Sequence, residues 1–179
     1  MVSAPAMECE DRLLAGARQG DQRCFEELIR PHIRAGYRLA AAMLNDADEA
    51  EDAVQEATLR AWRAVGRLRE RDRLRPWFLA IVANQCRSLR KTRWWSVLRL
   101  DVLRIEEPSP ADLAGGRTDL IGALRRLSPD ERAAVFLRFY EDMSSREVGA
   151  ALGLSSAGAR SRIHRALRRL RVDLSEVEL

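Results

Sequence analysis

Between Gly153 and Arg171 the chain reads GLSSAGARSRIHRALRRLR, and from Ser155 to Val172 it holds six arginines, one histidine and no acid. Guanidinium groups are planar forks that grip phosphate, and guanine O6 and N7, in pairs of hydrogen bonds. Placed on a helix, Ala159, Ile163, Ala166, Leu167 and Leu170 share one face, while Arg160, Ser161, His164, Arg165 and Arg168 fall largely on the other. Solvated helices usually interleave both signs of charge, and this one does not. It has the division a DNA-reading helix needs, with an apolar side that fixes its angle and a polar side that enters the major groove.

Two further clusters could carry chemistry. GRLRERDRLRP (66–76) packs five arginines into a stretch too charged to be buried, and residues 61–100 hold eleven bases against two acids, a local net of +9. Residues 41–60 show the opposite bias, six acids against Arg60 alone. There Asp48, Glu49, Asp52, Gln55, Glu56 and Leu59 lie away from an apolar stripe of Ala50, Ala53, Val54, Ala57, Ala61 and Val65. The overall charge of +4 therefore hides a split. The basic parts suit a polyanion, and the acidic helix suits a basic or mixed protein surface. Arginine supplies 30 of the 31 basic residues, Lys91 being the exception. A GC-rich genome accounts for that ratio but not for where the arginines sit.

Enzyme chemistry finds little support. The carboxylates Asp48, Glu49, Glu51 and Asp52 have no histidine at metal spacing, since His32 and His164 fall in different halves. Neither a phosphate-binding glycine loop nor a nucleophile motif occurs. Cys9, Cys24 and Cys86 are odd in number, far apart and without CxxC spacing, which argues against zinc and for a reducing compartment. The expectation is no catalytic residue, no metal and no cofactor. MVSAPAMECED has neither a basic leader nor an apolar run, and no 18-residue apolar stretch follows, so neither a signal peptide nor membrane insertion is expected.

The elements that must position these clusters are helices; strand alternation and hairpin dipeptides are nearly absent. A helix near Cys9–Arg18 comes first. Asp21 caps one carrying Phe25, Leu28, Ile29, His32, Gly36, Leu39 and Met43 on one face, and Asn45 or Asp46 caps the acidic helix. Pro76 opens a third long helix, aligning Trp77, Phe78, Ile81, Val82, Gln85 and Leu89 against Asn84, Arg87, Ser88 and Lys91 on its polar side. Breakers then cluster, among them Pro108, Pro110, Gly115 and Gly116, which reads as a linker able to span roughly 60–70 Å if extended. Helices resume near Asp119. SPDE (128–131) and SSRE (144–147) are capping boxes, and Gly153 ends a short helix before Ser155 or Ser156 caps the last. The final pair forms a helix-turn-helix. The expected fold is all-α, with two small helical domains (8–95 and 118–174) joined by an extended linker (96–117).

LSPDERAAVFLRFYEDMSSREVGAALGLSSAGARSRIHRALRRLR resembles region 4 of bacterial sigma factors of the extracytoplasmic-function group. DADEAEDAVQEATLRAW (46–62) resembles their region 2.2, and RPWFLAIVANQCRSLRKTRWW (75–95) their regions 2.3 and 2.4. Two matching domains in the right order cover nearly the whole chain. One departure is Ala157-Gly158-Ala159, where the family reads Gly-Thr-Val.

The resemblance implies a cytoplasmic alternative sigma factor, nucleoid-associated when in holoenzyme. Asp48, Glu49, Asp52, Gln55, Glu56 and Leu59 would meet the β′ clamp helices of core RNA polymerase, with the β flap a further contact. Arg67, Arg69, Arg71, Arg73, Asn84, Arg87, Ser88 and Lys91 would hold the opened −10 strand, a task that needs a pocket for a flipped base and a basic track. Ser156, Arg160, Ser161, Arg162, His164, Arg165 and Arg168 would read the −35 duplex. Trp77 belongs to the core on this reading, while Trp94 and Trp95 could pack or touch DNA. Many members of the family are held by an anti-sigma factor. A conventional dimeric helix-turn-helix regulator is the alternative, but it leaves the acidic helix and the arginine loop unexplained.

Overall fold

The computed structural model describes the backbone of residues 4–68, 73–100 and 117–175, and side chains within 9–68, 73–92 and 120–174. Eight α-helices make up the described residues: α1 (Ala4–Arg18), α2 (Gln22–Leu44), α3 (Ala47–Ala64), α4 (Leu74–Leu100), α5 (Arg117–Arg126), α6 (Pro129–Val135), α7 (Ser145–Leu152) and α8 (Ser156–Ser175). A short 3-10 turn, Val65–Arg67, follows α3, and the chain widens into a π turn over Phe136–Tyr140 after α6.

The boundaries follow from capping chemistry. Asp21 accepts from the amides of Arg23 (2.9 Å) and Cys24 (3.1 Å), and Asp46 accepts from Glu49 (2.9 Å). Asn45 instead closes α2 in the left-handed conformation. Both capping boxes form: the Ser128 and Ser144 amides donate to Glu131 (3.0 Å) and Glu147 (2.8 Å), whose own amides return to the serine hydroxyls. α4 runs five residues beyond the expected boundary at Trp95, since no Gly or Pro interrupts Ser96–Leu100.

Helices α1–α4 form the first domain. The expected stripe on α3 is buried in full, and it packs against α2 and α4. Phe25 and Trp62 meet at 5.2 Å between ring centroids, tilted by 58°. Trp77 is partly buried against the same core, as expected for a packing residue. Helices α5–α8 form the second domain, in which α8 packs on α5, α6 and α7.

The two domains are not separate bodies. α4 packs against α7 and α2 against α6, and one apolar core runs from Leu14 in α1 to Ile163 in α8. A second, smaller cluster of Ala123, Leu127, Ala166 and Leu170 joins α5 to α8. α4 consequently buries more than its sequence stripe. Leu79, Ala83 and Cys86 are fully buried as well, about 100° round the helix from Phe78, Val82 and Gln85. Burial pushes the Cys86 thiol up to about 11, so it is an inert packing group.

Candidate nucleic-acid and polymerase interfaces

α8 is mounted as a reading helix. Ser155 is its N-cap, accepting from the Gly158 amide at 3.0 Å, and Ser156 is the first helical residue. Ala159, Ile163, Ala166 and Leu170 are buried, whereas Leu167, expected among them, is 39% exposed. It lies at the edge of the stripe.

Arg160, Ser161, His164, Arg165 and Arg168 are all exposed on the outer side. Arg160 donates to the Ser156 hydroxyl at 3.2 Å, which ties those two residues together at the helix start.

The charge of α8 is uncompensated along the helix but not across the domain. Arg162 lies 3.6 Å from Asp130, and Arg169 pairs with Glu131 at 2.9 Å. Burial acts to raise the Glu131 carboxyl. The hydrogen bonds from Ser128 outweigh it, helped by Arg169 and Arg165, and the net shift is downward. Arg169 is thus a strut that holds α8 on α6, a role invisible in a sequence where the two lie 38 positions apart.

The turn before α8 depends on Gly149. A Cβ at that position would stand 2.7 Å from the Leu154 carbonyl oxygen and 3.2 Å from that of Ser155. Glycine at this point in α7 lets the turn fold back tightly enough for the Leu154 amide to bond to the Gly149 carbonyl at 2.8 Å.

On the first domain, Asp48, Asp52, Gln55 and Leu59 are exposed, with Glu49 and Glu56 intermediate. Leu59 is 52% exposed at the foot of this face. Arg60 pairs with Glu56 at 2.9 Å, and Gln55 donates to Glu51 at 3.4 Å. Among the described residues, the main packing partners of α3 are α2 and α4 of the same domain.

The arginine stretch is anchored at both ends. Leu68 and Leu74 are buried, and the Arg18 guanidinium donates to the Leu68 carbonyl (2.9 Å from Nε). Arg67 and Arg73 are exposed at these ends; Arg69 and Arg71 lie outside the described residues, as do the side chains of Arg93, Trp94 and Trp95.

Along α4, Asn84, Ser88 and Lys91 are exposed, but Arg87 is turned into the domain contact. Its Nε meets Asp130 Oδ1 at 3.0 Å, Nη1 donates to Asn84 Oδ1 at 2.9 Å and Nη2 to the Leu152 carbonyl at 3.2 Å. Nearby contacts also cross the domains. Arg75 donates to the Glu141 carbonyl at 2.9 Å and pairs with its carboxylate. Arg132 donates to the carbonyls of Ala42 (2.7 Å) and Met43 (3.5 Å), capping the C-terminus of α2 from the other domain. Arg38 lies 4.7 Å over the Tyr140 ring. The sequence reading missed Arg75, Asp130, Arg132 and Glu141 as interface residues, because their partners are distant in the chain.

A helical chain with a helix-turn-helix, a basic reading helix and a separate acidic helix is built to bind DNA and a protein partner at once. The family is also directly shown. Residues 28–96 match the family model for Sigma-70 region 2, and residues 117–170 that for Sigma-70, region 4. The chain is 36% identical over 169 residues to the RNA polymerase sigma factor CarQ of Myxococcus xanthus, covering 90% of this chain and 95% of that one. It is 35% identical over 159 residues to the RNA polymerase sigma-E factor of Streptomyces coelicolor, covering 84% and 85%.

Among solved structures, the sigma factor RpoE in complex with the anti-sigma factor NepR from Bartonella quintana superposes with a TM-score of 0.71 at 26% identity, over 84% of this chain and 96% of that one. CnrH in complex with the cytosolic domain of CnrY gives 0.69 at 28% identity, over 94% and 98%. The chain belongs to the sigma-70 family, in its extracytoplasmic-function group. It is an alternative sigma factor that binds core RNA polymerase and promoter DNA and directs promoter-specific transcription initiation. Members of this family are initiation factors and not enzymes; bond formation belongs to the polymerase.

Proposed function

We propose a division of this work among three faces. The acidic face of α3 (Asp48, Glu49, Asp52, Gln55, Glu56 and Leu59) docks on the β′ clamp helices. Leu59 supplies the desolvated anchor, and the carboxylates match basic and amide groups around it. The outer side of α8 (Ser156, Arg160, Ser161, Arg162, His164, Arg165 and Arg168) enters the major groove of the −35 element. The loop arginines Arg67, Arg69, Arg71 and Arg73, together with Asn84, Arg87, Ser88 and Lys91, hold the separated −10 strand. Asn84 can both donate to and accept from a base edge.

The observation that supports this reading best is the mounting of α8. Its inner side is buried against α5, α6 and α7, while Arg160, His164, Arg165 and Arg168 project free of that packing. In a groove, such arginines can reach guanine edges and flanking phosphates. Arg165→Ala should lower run-off transcription from a cognate promoter by roughly 5- to 150-fold, the equivalent of about 1–3 kcal/mol, with co-elution on core polymerase intact. Unchanged transcription would remove α8 as the reading helix.

The protein acts in the cytoplasm, with the nucleoid when in holoenzyme. The likeness to RpoE, solved in complex with the anti-sigma factor NepR, supports an anti-sigma factor as a regulatory partner here too.

A further inference from the structure

We infer that Arg18, the last residue of α1, is a positioning residue for promoter opening. It fixes the Leu68 peptide, and so the direction in which the chain enters the basic stretch that holds the −10 strand. The inference rests on the −10 reading of Arg67 and its neighbours proposed above.

The first observation is where α1 stands. It precedes both regions matched by the family models, 28–96 and 117–170, and none of the three working faces lies on it. It nonetheless packs beside the 3-10 turn Val65–Arg67. Leu14 and Ala17 of α1 are buried in the same core as Val65, Leu68 and Leu74. The helix is therefore seated against the residues on either side of the arginine stretch.

The second observation is the contact at its end. Arg18 Nε donates to the Leu68 carbonyl at 2.9 Å, and Nη2 donates to the same oxygen. The donor is charged, planar and held by a helix, so it restrains the carbonyl more firmly than a single neutral donor would.

Leu68 is also where the chain changes course. The 3-10 turn ends there, and the backbone becomes extended at φ −73° and ψ 113°. The Leu68 amide donates to the Val65 carbonyl at 3.0 Å, and the side chain is buried. Neither contact fixes the plane of the next peptide, because rotation about ψ turns the carbonyl while the amide and side chain stay in place. The bond to Arg18 removes that remaining freedom. Arg67 stands exposed just before this point, and Arg73 stands exposed just before buried Leu74 at the other end.

This restraint acts on selectivity and not on charge. A basic side chain on a loosely held backbone still neutralises phosphate, whereas telling one base from another needs the backbone held in place. Loss of Arg18 should therefore blunt base preference in the −10 element and leave the −35 element untouched.

The test uses holoenzymes assembled from core polymerase and the full chain. The probe is a duplex DNA library randomised across the −35 and −10 positions. Retained duplexes are sequenced, and permanganate reactivity of unpaired thymines reads opening. Arg18→Ala, helical by circular dichroism and still co-eluting with core polymerase, should keep the wild-type −35 preference. Its enrichment of the preferred −10 bases should fall by roughly five-fold or more, the size of one lost base contact. Opening should fall with it. Arg18→Lys keeps a charged donor beside the carbonyl and should recover most of both.

The double variant Arg67→Ala, Arg73→Ala is run in parallel. If it changes neither −10 preference nor opening, the −10 reading of this stretch falls, and the inference with it. If it changes them while folded Arg18→Ala keeps the wild-type −10 preference, the positioning role alone falls. Equal loss of −35 and −10 preference in Arg18→Ala would make Arg18 a general stabilising contact and would also overturn the inference.

Discussion

The two helices assigned to DNA, α4 and α8, begin from similar material and end in different states. Each carries arginines on one side and apolar residues on the other. On α8 the outer arginines are free of packing, and those that pair, Arg162 and Arg169, do so with α6 of the same domain. On α4 the central arginine is consumed by the other domain. The difference lies in the number of apolar faces. α8 has one and is finished once it is seated, whereas α4 has two and draws a second domain onto itself. A charged residue's availability is thus set by what its helix buries next to it, not by the charge itself.

Several changes would break or sharpen this contrast. The largest effect is expected from Gly149→Ala, which puts a methyl group 2.7 Å from the Leu154 carbonyl at the turn that seats α8. Backbone must move, at a cost of about 1–3 kcal/mol or more. Promoter-specific transcription should fall at least ten-fold, and the loss should appear as weaker helix-turn-helix protection in hydrogen exchange, with α3 unaffected.

Next comes a pair on α8 itself. Arg165→Ala should lose promoter affinity with no change in melting temperature. Arg169→Ala should do the reverse, lowering stability by about 1 kcal/mol or less, because Arg169 is itself well exposed while its partner Glu131 is not. Equal effects of the two on DNA binding would mean that Arg169 is not a strut.

Acid should act mainly near α4. Burial, with Arg75 adding to it, pushes the His32 imidazole below its ordinary value. Above about pH 6.5 it is neutral in the folded and unfolded chain alike and does not affect stability. As pH falls below that value the unfolded chain takes up a proton first, so stability declines. His32→Gln should flatten the melting temperature between about pH 7.5 and pH 5.5. The capping carboxylates act lower. Glu147 is held below its ordinary value by the Ser144 hydroxyl and amide, so its contribution is present above about pH 4.5 and is lost as pH falls through its folded value.

The smallest expected effect is a gain. Gln85 is buried in α4, and its Oε1 has no hydrogen-bond partner. Gln85→Met keeps the volume, removes the orphaned acceptor and should raise stability by about 1 kcal/mol in thermal melts.

Much of this was legible in the sequence because it is local. The α3 stripe, the two capping boxes and the left-handed Gly153 follow from spacing and residue type, and all are present. The outer face of α8 was also readable, apart from Leu167 at the stripe's edge. What escaped depends on distant partners. Periodicity on α4 shows one stripe and cannot say that Leu79, Ala83 and Cys86 will be buried as well. The roles of Asp130, Arg132 and Glu141 need partners 43 or more positions away. Gly149 was hidden for another reason, since a glycine inside a short helix looks like a weakness until the turn beside it is seen.

The assignment of three working faces is tested most directly by competition for core RNA polymerase against a housekeeping sigma factor, read by size exclusion. Wild type and Arg165→Ala should displace the competitor equally well. Leu59→Asp, folded by circular dichroism, should fail to do so, because a charge replaces the apolar anchor of the docking face. Leu59→Asp that competes as well as wild type would show that α3 is not the polymerase contact, and the assignment of the acidic face would fall.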